Sequence, residues 1–222
     1  MRLNVKKTKT ITFNFTRKHQ FTTKLKVSNV DILNVTETKL LGTVITNNLS
    51  WKKNTKELVI KGFRRMQLLN AAAGFTDSRE DLKGIYLTYV RSVVEQSAVV
   101  WHSSLTQKNR NDLERVQKAA VRVIMGKNYI SYKNSLKELK IDSLEVRREK
   151  LCISFAKKCI KNEKVKDMFP LKKTKHQMKK RKDEKFQTFK ARTKRYKNSA
   201  LPYMRRLLNT ENEEKNALLK KC

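Results

Sequence analysis

SREDLKGIYLTYVRSVVEQSAVVWHSSLTQKNRNDLERVQKAAVRVIM, residues 78–125, reads as two amphipathic helices back to back. Leu82, Ile85, Tyr86, Tyr89, Val90, Val93 and Val94 recur at three- and four-residue steps, the spacing of one helix face. Ser78 with Asp81 three residues on is a capping-box-like start. The apolar run goes on through Ala98, Val99 and Val100 to Trp101. A turn is expected from His102 to Thr106, where Ser103, Ser104 and Thr106 offer N-cap oxygens. Leu113, Val116, Gln117, Ala120, Val121, Ile124 and Met125 then form the face of a second helix, and Gly126 stands where a helix end favours positive φ. Arg91, Arg110, Arg115, Lys118 and Arg122 fall on the wetter sides. The stretch reads as a packed helical scaffold with a cationic surface.

Outward from it the period changes. Asn54 to Ala73 continues the helical spacing, with Leu58, Val59, Phe63, Met66, Leu69 and Ala73 on one face and Gly74 as its end. Before Trp51 the pattern is that of strands. Thr10 to Phe15 alternates with period two, and Leu25–Val27 and Asp31–Val35 flank a turn at Ser28-Asn29. Lys39 to Thr46 reads as one strand with Gly42 marking a bend or a close backbone approach, ended at Asn47-Asn48. On the other side, a short helix is expected from Tyr129 to Leu139, capped by Ser131. A longer one is expected from Ser143 to Lys161, its face Leu144, Leu151, Phe155 and Cys159. From Leu171 to Lys197 lysine and arginine dominate, which predicts a basic arm, disordered on its own. Leu201, Tyr203, Met204, Leu207 and Leu208 then predict a short helix able to dock back. The expected class is α+β: a small antiparallel β subdomain over residues 1–51, a helical domain over 52–170, a basic arm over 171–199 and a helical segment over 200–222.

Charge narrows the function. The 222 residues hold 53 Lys+Arg against 20 Asp+Glu, a net charge of +33. Such an excess repels itself in a compact chain, so a polyanion is the expected partner, nucleic acid first. No stretch is long and apolar enough to span a bilayer, and no signal-peptide apolar region follows Met1. Cys152, Cys159 and Cys222 make an odd number, which argues against a disulfide framework and for a reducing compartment, nucleus or cytoplasm.

Single residues read modestly. Trp51 and Trp101 end apolar runs and are expected as core anchors. Glu95 is expected as a buried partner of Arg91, one helical turn back. His102 is expected at a turn or cap, and Cys152 and Cys159 as small core residues, since nothing nearby completes a four-ligand metal site. Lys7, between other lysines, reads as solvated.

An ordered set of short motifs adds a resemblance. Leu3-Asn4-Val5-Lys6-Lys7-Thr8-Lys9, Lys39-Leu40-Leu41-Gly42 and Leu49-Ser50-Trp51 resemble the end of the palm of non-LTR retrotransposon reverse transcriptases of the LINE type. Tyr89 to Glu95, Val100 to Leu105, Leu113 to Ala120, Tyr129 to Tyr132, Arg147-Arg148 and Asn198 to Pro202 resemble the region that follows the palm. The resemblance implies that Lys7 contacts the incoming nucleotide's phosphates and acts as a general acid. It implies that Leu40, Leu41 and Gly42 grip the primer end, and that the helices after Asn54 form a thumb on the template–primer duplex of RNA and DNA. Arg64, Arg65, Arg91, Arg115, Lys118 and Arg122 are the expected nucleic-acid contacts on the helices, and Lys179, Lys180, Arg181 and Lys182 those of the arm. The family's chemistry uses an aspartate pair holding Mg2+, and this sequence has no Asp-Asp anywhere. The expectation is therefore a C-terminal fragment that binds nucleic acid, carries no cofactor and is inactive alone. Mg2+ is implied only for a full-length polymerase with the N-terminal portion this chain lacks. A non-enzymatic basic helical adaptor is the other reading.

Overall fold

The computed structural model describes residues 4–15, 24–172, 185–188 and 190–219. It is an α+β chain in which strands come first and helices after. β1 (Lys9–Thr10) pairs in parallel with β4 (Leu33–Asn34). β2 (Lys26–Val27) and β3 (Val30–Asp31) form a hairpin across Ser28 and Asn29, both in the left-handed region at φ 51° and 62°. β5 (Glu37–Leu40) and β6 (Thr43–Thr46) form a second hairpin across Leu41 and Gly42, at φ 48° and 82°.

Three expectations change here. Lys39 to Thr46 is two paired strands rather than one bent strand. The leucine at the turn hid it, because a branched side chain at positive φ is a poor turn signal. The pairings stay separate and one is parallel, so the described residues form no single antiparallel sheet. The alternating run Thr10 to Phe15 leaves the ladder after Thr10. Phe15 lies instead beneath the Arg195 guanidinium, 4.4 Å from ring centroid to charge, and Phe13 faces a groove described below.

α1 (Lys52–Ala72) buries Leu58, Gly62, Met66 and Leu69. Its first turn is tied to β6, where the Val44 N–H donates to Asn54 Oδ1 at 3.0 Å. α2 (Arg79–Ile85) starts at Ser78, whose Oγ accepts the Asp81 N–H at 3.3 Å. It runs on as a π-helical turn, Tyr86–Arg91, into α3 (Ser92–Val94). The wider turn rolls the helix face. Tyr86, Val90, Val93 and Val94 enter the core, while Tyr89 turns outward to 41% exposure, against its expected place in the seam. Ser97 at φ 54° breaks the rod before α4 (Ala98–Trp101), so the apolar run to Trp101 is not one helix.

α5 (Gln107–Met125) follows, with Thr106 Oγ1 accepting the Asn109 N–H at 3.3 Å and Gly126 ending it at φ 52°. Every residue expected on its inner face is buried. α5 packs on α1 at Gly62, where a methyl group would lie 2.9 Å from Val116 and 3.1 Å from Val94, so the helices meet closer than any side chain permits. Trp51 and Trp101 are both buried in this core.

α6 (Tyr132–Glu138), capped by Ser131, and α7 (Leu144–Lys161), capped by Ser143, close the bundle. The buried line of α7 is Leu144, Arg148, Cys152, Ala156 and Cys159. Phe155, expected inside, is 41% exposed, because an arginine holds a core position that apolar periodicity cannot register. α8 (Lys194–Lys197) leads into α9 (Ala200–Leu219), which docks Met204 and Leu208 against Cys152, Ala156 and Cys159. The basic segment is anchored at its described ends. Phe186 is buried in the same cluster, its N–H donates to Asn209 Oδ1 at 2.9 Å, and Asn209 Nδ2 donates back to its carbonyl at 3.1 Å. The segment expected as a basic arm is thus tied to α9 at Phe186.

Candidate nucleic-acid interface

A groove of about 1030 Å³ runs between the N-terminal halves of α1 and α5 and the α8–α9 junction. Lys52 and Lys56 stand one turn apart on α1. Lys108 and Arg115 stand two turns apart on α5, and Lys194 and Arg195 face them from α8. Asp112 is the single carboxylate among the described residues of the lining, and it lies 3.7 Å from Arg115. None of the other five cations has an ion-pair partner among the described residues. Like charges crowded into a concavity sum to a strong positive potential, because low-dielectric walls focus the field. The floor is apolar: Phe13, Trp51, Ile60 and Val100 line it. The α9 wall is held by Ser104 Oγ, which donates to the Asn198 carbonyl at 2.7 Å.

The structure divides the expected contacts. Arg115, Lys118 and Arg122 follow at three- and four-residue steps along the outer side of α5 and are exposed. Lys118 stands 5.5 Å from the Tyr132 ring, and Arg122 5.5 Å from the Tyr129 ring. Arg115 belongs both to this stripe and to the groove. Arg64 is exposed one turn beyond Ile60 on α1. Arg65 and Arg91 are placed apart from these. Arg65 lies 4.5 Å over the Tyr89 ring and donates to the Tyr89 carbonyl at 2.8 Å. Arg91 is half-buried, 3.9 Å from Glu95. Lys179, Lys180, Arg181 and Lys182 lie outside the described residues.

Lys52, Lys56 and Lys108 escaped the sequence reading. Their signal was present in the four-residue spacing on α1 and in the seven residues from Lys108 to Arg115. A second hollow of about 490 Å³ along α7 also carries lysines, but Lys150 is engaged by Asp142 and Lys157 by Glu211.

Lys7 is exposed at the end of a 3-10 turn, Val5–Lys7, where Asn4 Oδ1 accepts its backbone N–H at 3.2 Å. Leu40, Leu41 and Gly42 form the tip of the β5–β6 hairpin. Leu41 is 88% exposed, and its carbonyl accepts from Gln96 Nε2 at 3.2 Å. A side chain at Gly42 would collide with Gln96 as well as strain the turn, so the close approach expected of this glycine is real.

Buried polar groups brace the interface rather than supply chemistry. Tyr86 Oη donates to Gln117 Oε1 at 2.5 Å, and Gln117 Nε2 donates to Tyr132 Oη and to the Asp142 carbonyl, both at 2.9 Å. Tyr132 Oη donates in turn to Glu114. Burial pushes both phenols above the usual tyrosine range, with Glu114 adding at Tyr132, so they remain donors. Glu95 lies 3.5 Å from Arg147 as well as near Arg91, as a buried ion-pair partner should. Burial raises its pKa against the pull of Arg91, Arg147 and Arg148. Cys152 and Cys159 are buried free thiols, and burial pushes Cys152 up to about 11, far from a reactive thiolate.

Among the described residues no three His, Cys, Asp or Glu side chains group as metal ligands. The Mg2+ that the resemblance attaches to a whole polymerase has no fitting donor set among them, and no step is assigned to it. No helix among the described residues is long and apolar enough to cross a membrane. No family model, no curated protein and no solved structure matches the chain.

Proposed function

We propose that this chain is the nucleic-acid-holding portion of a non-LTR retrotransposon reverse transcriptase, with α1 and α5 acting as its thumb. The observation that carries the reading is the exposed stripe of Arg115, Lys118 and Arg122 on α5, which continues through Arg115 into a groove lined by six cations. The ordered motifs from Leu3 to Pro202 supply the family. Phosphate contacts give affinity with little sequence preference, which suits an element that must grip whatever duplex is copied. On this reading the exposed Leu41 tip meets the primer end and Lys7 a phosphate. The chain supplies binding without chemistry, since its sequence offers no Asp-Asp pair.

The test is fluorescence anisotropy with a labelled RNA–DNA duplex. Replacing Arg115, Lys118 and Arg122 together by alanine should weaken duplex binding and lower the salt slope by about 3, roughly one for each cationic side chain taken off a phosphate. An unchanged affinity would overturn the assignment of this face.

A further inference from the structure

We infer that the groove is a channel for single-stranded nucleic acid, distinct from the duplex-tracking face of α5. The inference rests on the nucleic-acid reading above and names the form of ligand the groove takes. Its ground is the combination of a cationic rim with an open apolar floor. Phe13 is 44% exposed, Ile60 41% and Val100 47%, so three large apolar side chains stay half in water in a hollow also lined by six cations. A duplex cannot use such a floor. Its bases are stacked inward, so it offers phosphates, sugars and base edges but no base faces. An unpaired strand offers phosphates along one edge and base faces along the other, which is the pattern of this groove.

Shape points the same way. The cations come from separate elements around one hollow, Lys52 and Lys56 from α1, Lys108 and Arg115 from α5, and Lys194 and Arg195 from α8. Lys52 to Lys56 covers about 6 Å of α1 and Lys108 to Arg115 about 10 Å of α5, enough for a few phosphates of a threaded strand. The outer stripe of Arg115, Lys118 and Arg122 is instead exposed along one helix, the form a rigid duplex can approach. Arg115, common to both, would sit where the two forms of nucleic acid meet. An acidic peptide would satisfy the rim charges, but it carries no flat apolar face for each charge, and it is one arm of the test.

The experiment uses the intact chain and labelled 12-mers: oligo-dT, an abasic strand of equal charge, a duplex, and poly-glutamate of matched charge. Oligo-dT should bind about five- to a hundredfold tighter than the abasic strand, the range of a single base–aromatic stack. Poly-glutamate should bind like the abasic strand. Replacing Phe13 and Ile60 by alanine should erase the oligo-dT advantage, leave duplex affinity within about twofold and keep the salt slope, because the two side chains carry no charge. Equal binding of oligo-dT, abasic strand and poly-glutamate to the unaltered protein would overturn the channel while duplex binding kept the broader reading. Failure to bind any of them, duplex included, would overturn both.

Discussion

Arg148 Nε donates to His102 Nδ1 at 3.2 Å, and neither side chain reaches solvent. Because a guanidinium can only donate, this hydrogen bond fixes His102 as the neutral ring with its proton on Nε2. It ties α7 to the turn that launches α5, and so to the base of the groove. The arginine lies 5.9 Å from the Trp101 ring, and its two terminal nitrogens have no hydrogen-bond partner among the described residues.

The burial of His102 makes stability depend on pH. Burial, with Arg148 and Arg110 adding, lowers the His102 pKa to about 3. Between that value and the usual 6.5, the unfolded chain takes up a proton that the folded chain refuses. Stability is therefore complete above pH 6.5 and falls as pH drops towards 3, by at most about 1.4 kcal/mol per pH unit. Glu95 works in the opposite sense, since burial raises its pKa and its contribution is lost as pH rises. Melting temperatures from pH 7 to 5 should fall less in His102→Gln than in the unaltered chain, because glutamine still accepts from Arg148 but does not titrate. Parallel curves would remove His102 from the account.

Two glycines on neighbouring helices should respond oppositely to alanine. At Gly62 the added methyl meets Val116 at 2.9 Å and Val94 at 3.1 Å. Overpacking of this kind costs about 1–3 kcal/mol, more than the roughly 1 kcal/mol gained in helix propensity. At Gly84 a methyl meets nothing within 4 Å, so only the gain remains. Thermal unfolding should show Gly62→Ala less stable and Gly84→Ala more stable than the parent. A shift of the same sign in both would contradict the close crossing of α1 and α5.

The purified chain should not incorporate nucleotides. Its sequence has no Asp-Asp pair, and the described residues group no metal ligands. Primer extension on a template–primer with magnesium or manganese should give no product. Metal-dependent extension above a mock purification would show that the chain carries chemistry of its own.

What could be read in advance was local. Ser78, Thr106 and Ser131 cap as their side chains require, Gly126 ends α5, and the inner face of α5 is the face its period marks. What escaped depends on residues distant in sequence or on one extra residue in a turn. The π-helical turn moves Tyr89 out of a seam that its spacing places it in. Arg148 is buried because His102 and Trp101, some 46 residues earlier, surround it. The groove gathers Phe13, Lys52, Lys108 and Lys194 from four segments, and no window of sequence contains more than one of its walls.

If this chain binds nucleic acid through its basic surface, its duplex affinity must depend steeply on salt, which anisotropy between 50 and 200 mM salt reads. With about six phosphate contacts, affinity should fall by about a thousandfold or more over that range, as released counterions require. Binding that ignores salt, or no binding at the lowest salt, would contradict it.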